Sequence, residues 1–163
     1  MATMAVKTKP KPIHRRKGRF TVHKKIGGGS FVVRESQGSF RDTAKAISKI
    51  KSGLPVKVFF ALKDQINIST EELAHVVGIA PRTLLRRKHE GRLQKEESER
   101  VVRLQRLFEK ALDVFEDRAA AQSWFNSPQL ALGGKTPLDY ADTELGAREV
   151  ENLLSRIEHG VFV

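Results

Sequence analysis

The chain of 163 residues contains no cysteine, and this absence narrows the classes of protein to which it can belong. Without cysteine there can be no disulfide, no cysteine-ligated metal and no cysteine nucleophile. No segment approaches the run of about eighteen apolar residues that a membrane-spanning helix needs. The basic N-terminal stretch also lacks the apolar core of a secretory signal. We therefore expect a cytoplasmic protein that has no membrane partner.

Acidic residues are scarce at the front of the chain. Residues 1–52 hold 14 Lys and Arg against 2 Asp and Glu, whereas residues 94–163 hold 9 against 13. A basic front favours a polyanionic partner, above all nucleic acid, and an acidic rear indicates a different task. Residues 1–39 show little periodicity, and we expect them to form a basic, disordered arm. That arm is either simply solvated or adds contacts to phosphates.

Strand patterns are nearly absent, since the only one is a weak apolar run at residues 31–33. From residue 40 onward, apolar residues recur at helical spacing, which predicts an all-α fold. The longest predicted helix covers Lys95–Phe115, and the last one covers Glu144–Glu158 with Thr143 as its cap. The first predicted helix has an apolar stripe of three residues: Ala44, Ile47 and Ile50.

The stretch TEELAHVVGIAPRTLLRRKHEG, residues 70–91, has the pattern of a helix-turn-helix. Ala74 is the small residue needed where the two helices touch, and Gly78 tolerates the positive φ of the turn. Ser69 and Glu72 form a capping box at the start of the first helix. The predicted inward-facing apolar set is Leu73, Val77, Ile79 and Leu84. At position 87, where an aliphatic residue would complete that set, the chain has arginine.

The second helix of this motif is the one expected to enter the major groove of DNA. We expect Arg82, Thr83 and Arg86 to contact bases, because arginine matches guanine O6 and N7 and threonine can meet a thymine methyl. We expect Arg87 and Lys88 to contact phosphates, with the Arg87 stem covering the edge of the core. The alternative is a solvated basic helix that binds no DNA. One recognition helix gives little specificity alone, so we also expect a homodimer.

The rear half carries many residue types in a fixed order: Ala121, Trp124, Phe125, Pro128, Ala131, Leu132, Gly133, Gly134, Thr136, Pro137, Leu138, Asp142, Thr143, Gly146, Val150, Leu153, Leu154, Ile157 and Gly160. Together with the helix-turn-helix, this pattern closely resembles Xre/ParS/MbcA-type antitoxins, whose partner toxins carry a RES domain. The resemblance covers roughly residues 40–163. We accordingly divide the chain into the arm at residues 1–39, a helical DNA-binding domain at residues 40–116 and a small helical toxin-binding domain at residues 117–163.

The resemblance implies an antitoxin that binds operator DNA, represses its own transcription unit and inhibits a RES toxin. RES toxins look like NAD-consuming enzymes, and in this family the C-terminal end of the antitoxin obstructs the toxin's catalytic cleft. An apolar terminus could fill such a pocket, or it could instead pack on its own domain. The candidate toxin-binding residues are Arg156, Ile157, Glu158, His159, Val161, Phe162 and Val163.

No group of residues in the sequence points to catalysis. The five histidines have no metal-binding spacing, and no Ser-His-Asp or paired-carboxylate arrangement stands out. We therefore expect a protein that is not an enzyme and that uses no cofactor or metal. Two other functions remain open at this point. One is a free-standing helix-turn-helix regulator whose rear half only mediates dimerisation, and the other is an RNA-associated basic protein led by its N-terminal arm.

Overall fold

The computed structural model describes residues 40–160, with side chains from residue 44 onward. Within this range the chain is helical and has no strand beyond isolated β-bridges, which confirms the predicted all-α class. The weak strand pattern at residues 31–33 lies outside the described residues. The elements are α1 (Phe40–Lys51), α2 (Val56–Ile66), α3 (Thr70–Val77), α4 (Pro81–Glu90), α5 (Lys95–Phe115), α6 (Arg118–Asn126), the 3-10 helix η1 (Leu130–Leu132), α7 (Pro137–Tyr140) and α8 (Glu144–Glu158).

The helix-turn-helix consists of α3 and α4. The Ser69 hydroxyl accepts a hydrogen bond from the Glu72 amide at 3.1 Å, and the Glu72 carboxylate accepts one from the Ser69 amide at 3.4 Å. This is the predicted capping box. Gly78 then ends α3 in the left-handed conformation, at a φ of 70°. The predicted inward set is buried, as is Ala74 at the contact between the two helices: Leu73, Val77, Ile79 and Leu84.

Helix α5 lies at the centre of the molecule and has the predicted bounds. It packs against α1, α2 and α3 from the front half and against α6 and α8 from the rear half. Its Phe108 ring meets the Phe125 ring of α6 edge-on, with centroids 5.6 Å apart. The amide of Asn126 on α6 donates to the Ile66 carbonyl at the end of α2, at 3.0 Å. The front and rear halves therefore share one continuous apolar core.

The rear half is assembled from short helices around α8. Thr143 caps α8 by accepting from the Gly146 amide at 3.1 Å, as predicted. Helix α8 then passes so close to the end of α7 that a Cβ on Gly146 would overlap the carbonyl oxygen of Tyr140. The single tryptophan, Trp124, is half-buried beside Phe115, with ring centroids 5.6 Å apart. The close approach at Gly146 fixes α8 against the end of α7, and the aromatic contact holds α6 against α5.

The predicted apolar stripe of α1 is only partly covered. Ala44 is exposed, Ile47 is 47% exposed and Ile50 is half-buried. The helix forms as its spacing predicts, but its apolar stripe is not fully buried. The reason is that α1 lies mainly against one neighbour, α5, so that a single contact has to cover the whole apolar face. Among the described residues, no helix is long and apolar enough to cross a membrane.

Candidate functional sites

The exposed face of α4 is a stripe that runs the length of the helix. Arg82, Leu85, Arg86 and His89 are all exposed, and their spacing of three and four residues places them on one side. Pro81 opens the helix and Gly91 ends it in a left-handed conformation at a φ of 75°. We call these four side chains the recognition stripe. The two arginines that were expected to contact bases, Arg82 and Arg86, both belong to it.

Two of the other three residues assigned to bases or phosphates, Thr83 and Lys88, lie off this stripe. Thr83 is half-buried, and Lys88 is exposed with its Nζ 4.9 Å from the centre of the Phe60 ring. A cation in that position is attracted by the face of the ring, which holds the lysine over α2 at one margin of α4. The exposed Lys88 remains accessible to a phosphate at the edge of the DNA major groove. Thr83 is half-buried and is poorly placed to contact a base edge.

Arg87 does not reach solvent, and its assignment to a phosphate was wrong. Its side chain is 6% exposed, and its Nε lies 2.9 Å from one Glu97 oxygen and 3.1 Å from the other. Its Nη1 donates to Glu90 at 2.7 Å. A buried guanidinium is stable only when such partners compensate for its lost hydration. The inward position that normally holds an aliphatic residue is occupied here by a buried ion pair.

This ion pair joins the recognition helix to α5. Glu97 is also the reciprocal residue of the α5 capping box, because its carboxylate accepts from the Gln94 amide at 2.7 Å. The hydrogen bonds from Arg87 to Glu97, and then to Glu90, hold the pKa of Arg87 above its usual value despite its burial. The guanidinium therefore stays charged despite its burial, and it fixes α4 against the first turn of α5.

An apolar groove runs between α3 and α4 on the side of the recognition stripe. It encloses about 560 Å³. Its lining is formed mostly by small and apolar residues of the two helices and their turn, with a few polar side chains at the margin: Thr70, Glu71, Ala74, His75, Gly78, Ile79, Ala80, Pro81, Leu84, Leu85 and Lys88. The groove stays open at the helix crossing, because Ala74 has too small a side chain to fill it.

The second candidate site is the end of α8. Arg156 and Ile157 are half-buried, while Glu158 and His159 are exposed. The Arg156 Nε is buried and has no hydrogen-bond partner among the described residues. The His159 Nδ1 lies 2.7 Å from the Ser155 carbonyl oxygen, which holds the ring against the last turn. The remaining predicted toxin-binding residues, at positions 161–163, lie outside the described residues.

The predictions from sequence missed Leu85, which lies in the middle of the recognition stripe. A signal for it was present, because Leu84 and Leu85 are adjacent and successive helix positions point about 100° apart. Since Leu84 fills the inward set, Leu85 cannot also face the core. The structure agrees with this geometry, with Leu84 at 5% exposure and Leu85 at 65%.

Comparison with known proteins identifies both halves of the chain. Residues 45–106 match the antitoxin Xre-like helix-turn-helix domain, and residues 110–160 match the antitoxin Xre/MbcA/ParS C-terminal toxin-binding domain. A curated Antitoxin Xre from Yersinia enterocolitica is 39% identical over 71% of this chain and 80% of its own length. The chain belongs to the Xre/MbcA/ParS family of antitoxins. An Antitoxin Xre from Photorhabdus laumondii is 34% identical over 69% of this chain and 77% of its own.

A solved structure shows the same fold as this antitoxin. It is the crystal structure of the M. tuberculosis MbcT–MbcA toxin–antitoxin complex, with a TM-score of 0.51 and 23% identity. The match covers 66% of this chain and 96% of that chain. The two family domains meet within α5, since one ends at residue 106 and the other begins at residue 110. In the part of the chain that the structure describes, no cluster of His, Asp and Glu is suited to a metal ion.

Proposed function

We propose that this antitoxin inhibits a RES-type, NAD-degrading toxin by inserting its C-terminal segment into the toxin's active site. We also propose that its helix-turn-helix binds operator DNA and represses transcription of its own operon. The observation that carries the first part is the toxin-binding domain at residues 110–160, whose last helix leads directly to the C-terminal segment. The related fold in the M. tuberculosis MbcT–MbcA toxin–antitoxin complex supports a protein partner.

The end of α8 has the chemistry expected of an inhibitory surface. Ile157 offers a half-buried apolar side chain beside the exposed Glu158 and His159. Beyond Gly160 the sequence continues with Val161, Phe162 and Val163. An apolar anchor surrounded by polar contacts is how a short segment gains affinity, because the surrounding contacts exclude water from the anchor.

Truncation separates this inhibitory role from simple docking. Removing residues 161–163 is expected to restore much of the NAD-degrading activity of the toxin encoded beside this antitoxin, while the two proteins still copurify. The matched control is Leu130→Ala, which shortens a leucine that is 97% exposed elsewhere in the rear half. The measurements are NAD consumption and toxin affinity. Full inhibition by the truncated antitoxin would show that the terminus does not block the active site.

The DNA-binding part of the proposal is supported by the recognition stripe. Arg82 and Arg86 extend from a helix that is held in helix-turn-helix geometry, and Lys88 lies at its margin. Exposed guanidinium groups on such a helix can bind guanine edges in two-point contacts and attract the phosphates electrostatically. The expected homodimer would place two recognition helices on half-sites about 34–36 Å apart, and binding of two chains to each operator would test that arrangement.

Paired substitutions test the recognition stripe. Arg82→Ala with Arg86→Ala is expected to weaken binding to the duplex upstream of the antitoxin's own gene by at least tenfold, because bidentate base contacts are each worth about 1–3 kcal/mol. The control is Arg118→Ala with Arg148→Ala, which removes the same charge from exposed sites on α6 and α8. Affinities are measured by anisotropy at several salt concentrations. Equal affinities for the two double variants would place the DNA interface elsewhere, and toxin binding should change in neither.

A further inference from the structure

Leu85 is an unusual residue to find in the centre of a basic stripe. It is 65% exposed, and it is one of four large apolar side chains exposed among the described residues. Arg82 precedes it by three residues, so these two side chains are neighbours on one face, and Arg86 follows it directly, about 100° further round the helix. The other exposed leucines, Leu130 and Leu145, lie in the rear half. An exposed apolar side chain in the middle of a binding surface indicates an apolar contact in the complex.

The groove beside Leu85 extends this apolar surface. Leu85 and Leu84 line it from α4, Ala74 lines it from α3, and Ala80 lines it from the turn. Glu71 lies at its margin, where a carboxylate would be repelled by phosphates but can accept a hydrogen bond from the cytosine amino group. This wall of the groove is therefore suited to base edges rather than to the phosphate backbone.

We propose that Leu85 determines operator specificity by packing on the C5-methyl group of a thymine in the major groove. The methyl is the apolar group that thymine displays there, and apolar side chains are the residues that recognise it. The flanking arginines favour DNA over a protein partner as the occupant, because an apolar protein surface would have to strip water from two exposed cations, of which Arg86 also pairs with Glu90 at 3.6 Å. This inference rests on the proposed DNA binding and adds a residue and a base type to it.

Replacement of thymine by deoxyuridine tests the contact directly, since it removes the methyl group and leaves the hydrogen-bonding edges unchanged. The duplex is the operator region upstream of the antitoxin's gene, with each thymine replaced in turn. Loss of one buried methyl is expected to weaken wild-type binding about fourfold at one or two positions per half-site. The Leu85→Ala variant should bind the thymine duplex more weakly than the wild type does. It should bind the matching uracil duplexes with the same affinity as the thymine duplex, because it has no leucine side chain to contact the methyl group.

Two controls make the outcome unambiguous. Leu130→Ala removes a leucine of the rear half that is more exposed than Leu85, at 97% against 65%, and should keep the full sensitivity to uracil. Thermal unfolding should give the same midpoint for Leu85→Ala as for the wild type, because the side chain is on the surface. A loss of affinity with an unchanged midpoint then belongs to the interface and not to the fold.

Four results would overturn the inference. Wild-type binding that tolerates uracil at every position would exclude a methyl contact, and so would a Leu85→Ala variant with the same uracil sensitivity as the wild type. A variant that keeps its DNA affinity but binds the toxin less tightly would assign the groove to the protein partner instead. Binding of the wild-type antitoxin to the unmodified thymine duplex is measured first. If it binds no duplex at all, the proposed DNA binding fails together with the inference.

Discussion

A single side chain, Arg87, decides how the recognition helix is held. In a helix-turn-helix this position normally continues the apolar inner face, and an arginine there has to bury its charge or leave the core. Here it is buried, and Glu97 and Glu90 supply the oxygens that compensate for its lost hydration. Because Glu97 also caps α5, the orientation of α4 depends on a network that reaches into the next helix.

We predict that Arg87→Met destabilises the fold by about 3–5 kcal/mol, since it leaves the Glu97 carboxylate buried without its cation. Adding Glu97→Gln should recover much of that loss, because the uncompensated charge is then removed. The measurement is the free energy of unfolding in urea for both single variants and the double variant. Arg86→Met, at a side chain that is 61% exposed, serves as the control and should change stability by less than about 0.5 kcal/mol. Additive losses in the double variant would contradict the coupling.

The contrast between Leu85 and Arg87 shows where sequence patterns stop being informative at this scale. Helical spacing alone separates Leu84 from Leu85, and it also places Arg87 on the inner face. An arginine at such a position can either extend its guanidinium to solvent or bury it. Which of these occurs depends on the residues that pack against it. Those neighbours, Glu90 and Glu97, come from the end of α4 and from α5, so spacing within α4 could not identify both of them.

Among the helices, length and caps determined which ones could be predicted. The bounds predicted for α5 and α8 agree with the structure, because both are long, amphipathic and marked by capping residues. Helix α7 has only four residues, which are too few to give a periodic pattern in the sequence. The half-covered stripe of α1 could not be foreseen either, because the pattern reveals an apolar face but not how many neighbours cover it.

The junction of α7 and α8 depends on a close approach of two backbones. Gly146 lies in the first turn of α8, where its missing side chain lets the carbonyl of Tyr140 come near. At a helix position with no obstructing neighbour, alanine stabilises the fold relative to glycine by about 0.5–1 kcal/mol. Here the steric overlap opposes that preference and is the larger of the two effects, because the atom that Cβ meets belongs to the backbone and cannot move aside by itself.

We therefore predict that Gly146→Ala destabilises the antitoxin by about 1–3 kcal/mol, against the helix propensity. The cause is displacement of α8 from the end of α7, which should also weaken toxin binding through the moved helix end. Urea unfolding monitored by circular dichroism measures the first effect. The adjacent Leu145→Ala changes a side chain that is 76% exposed and should alter stability little. A Gly146→Ala variant more stable than the wild type would refute the close approach.

At the scale of the whole molecule, the two functional ends are connected through one core. Helix α5 contacts both halves, and α6 both packs on Phe108 and holds the end of α2 through Asn126. The boundary expected from the sequence, at residue 116, divides the chain at the end of α5. The apolar contacts of the core nevertheless extend across that boundary. A chain of this size with a single continuous core is expected to unfold in one cooperative transition. Stability lost in the rear half should then be lost by the DNA-binding half as well.

Phe125→Ala is the sharpest test of this coupling, because Phe125 is fully buried in the rear half and lies against Phe108 of the shared helix. We predict a loss of about 3–5 kcal/mol in the free energy of unfolding. Trp124, the only tryptophan, reports on the rear half by fluorescence, and amide exchange in α3 reports on the front half. Both probes should move to the same lower urea midpoint. If the tryptophan signal shifts while exchange in α3 stays at the wild-type rate, the halves unfold independently, and the DNA-binding end is stable without the toxin-binding one.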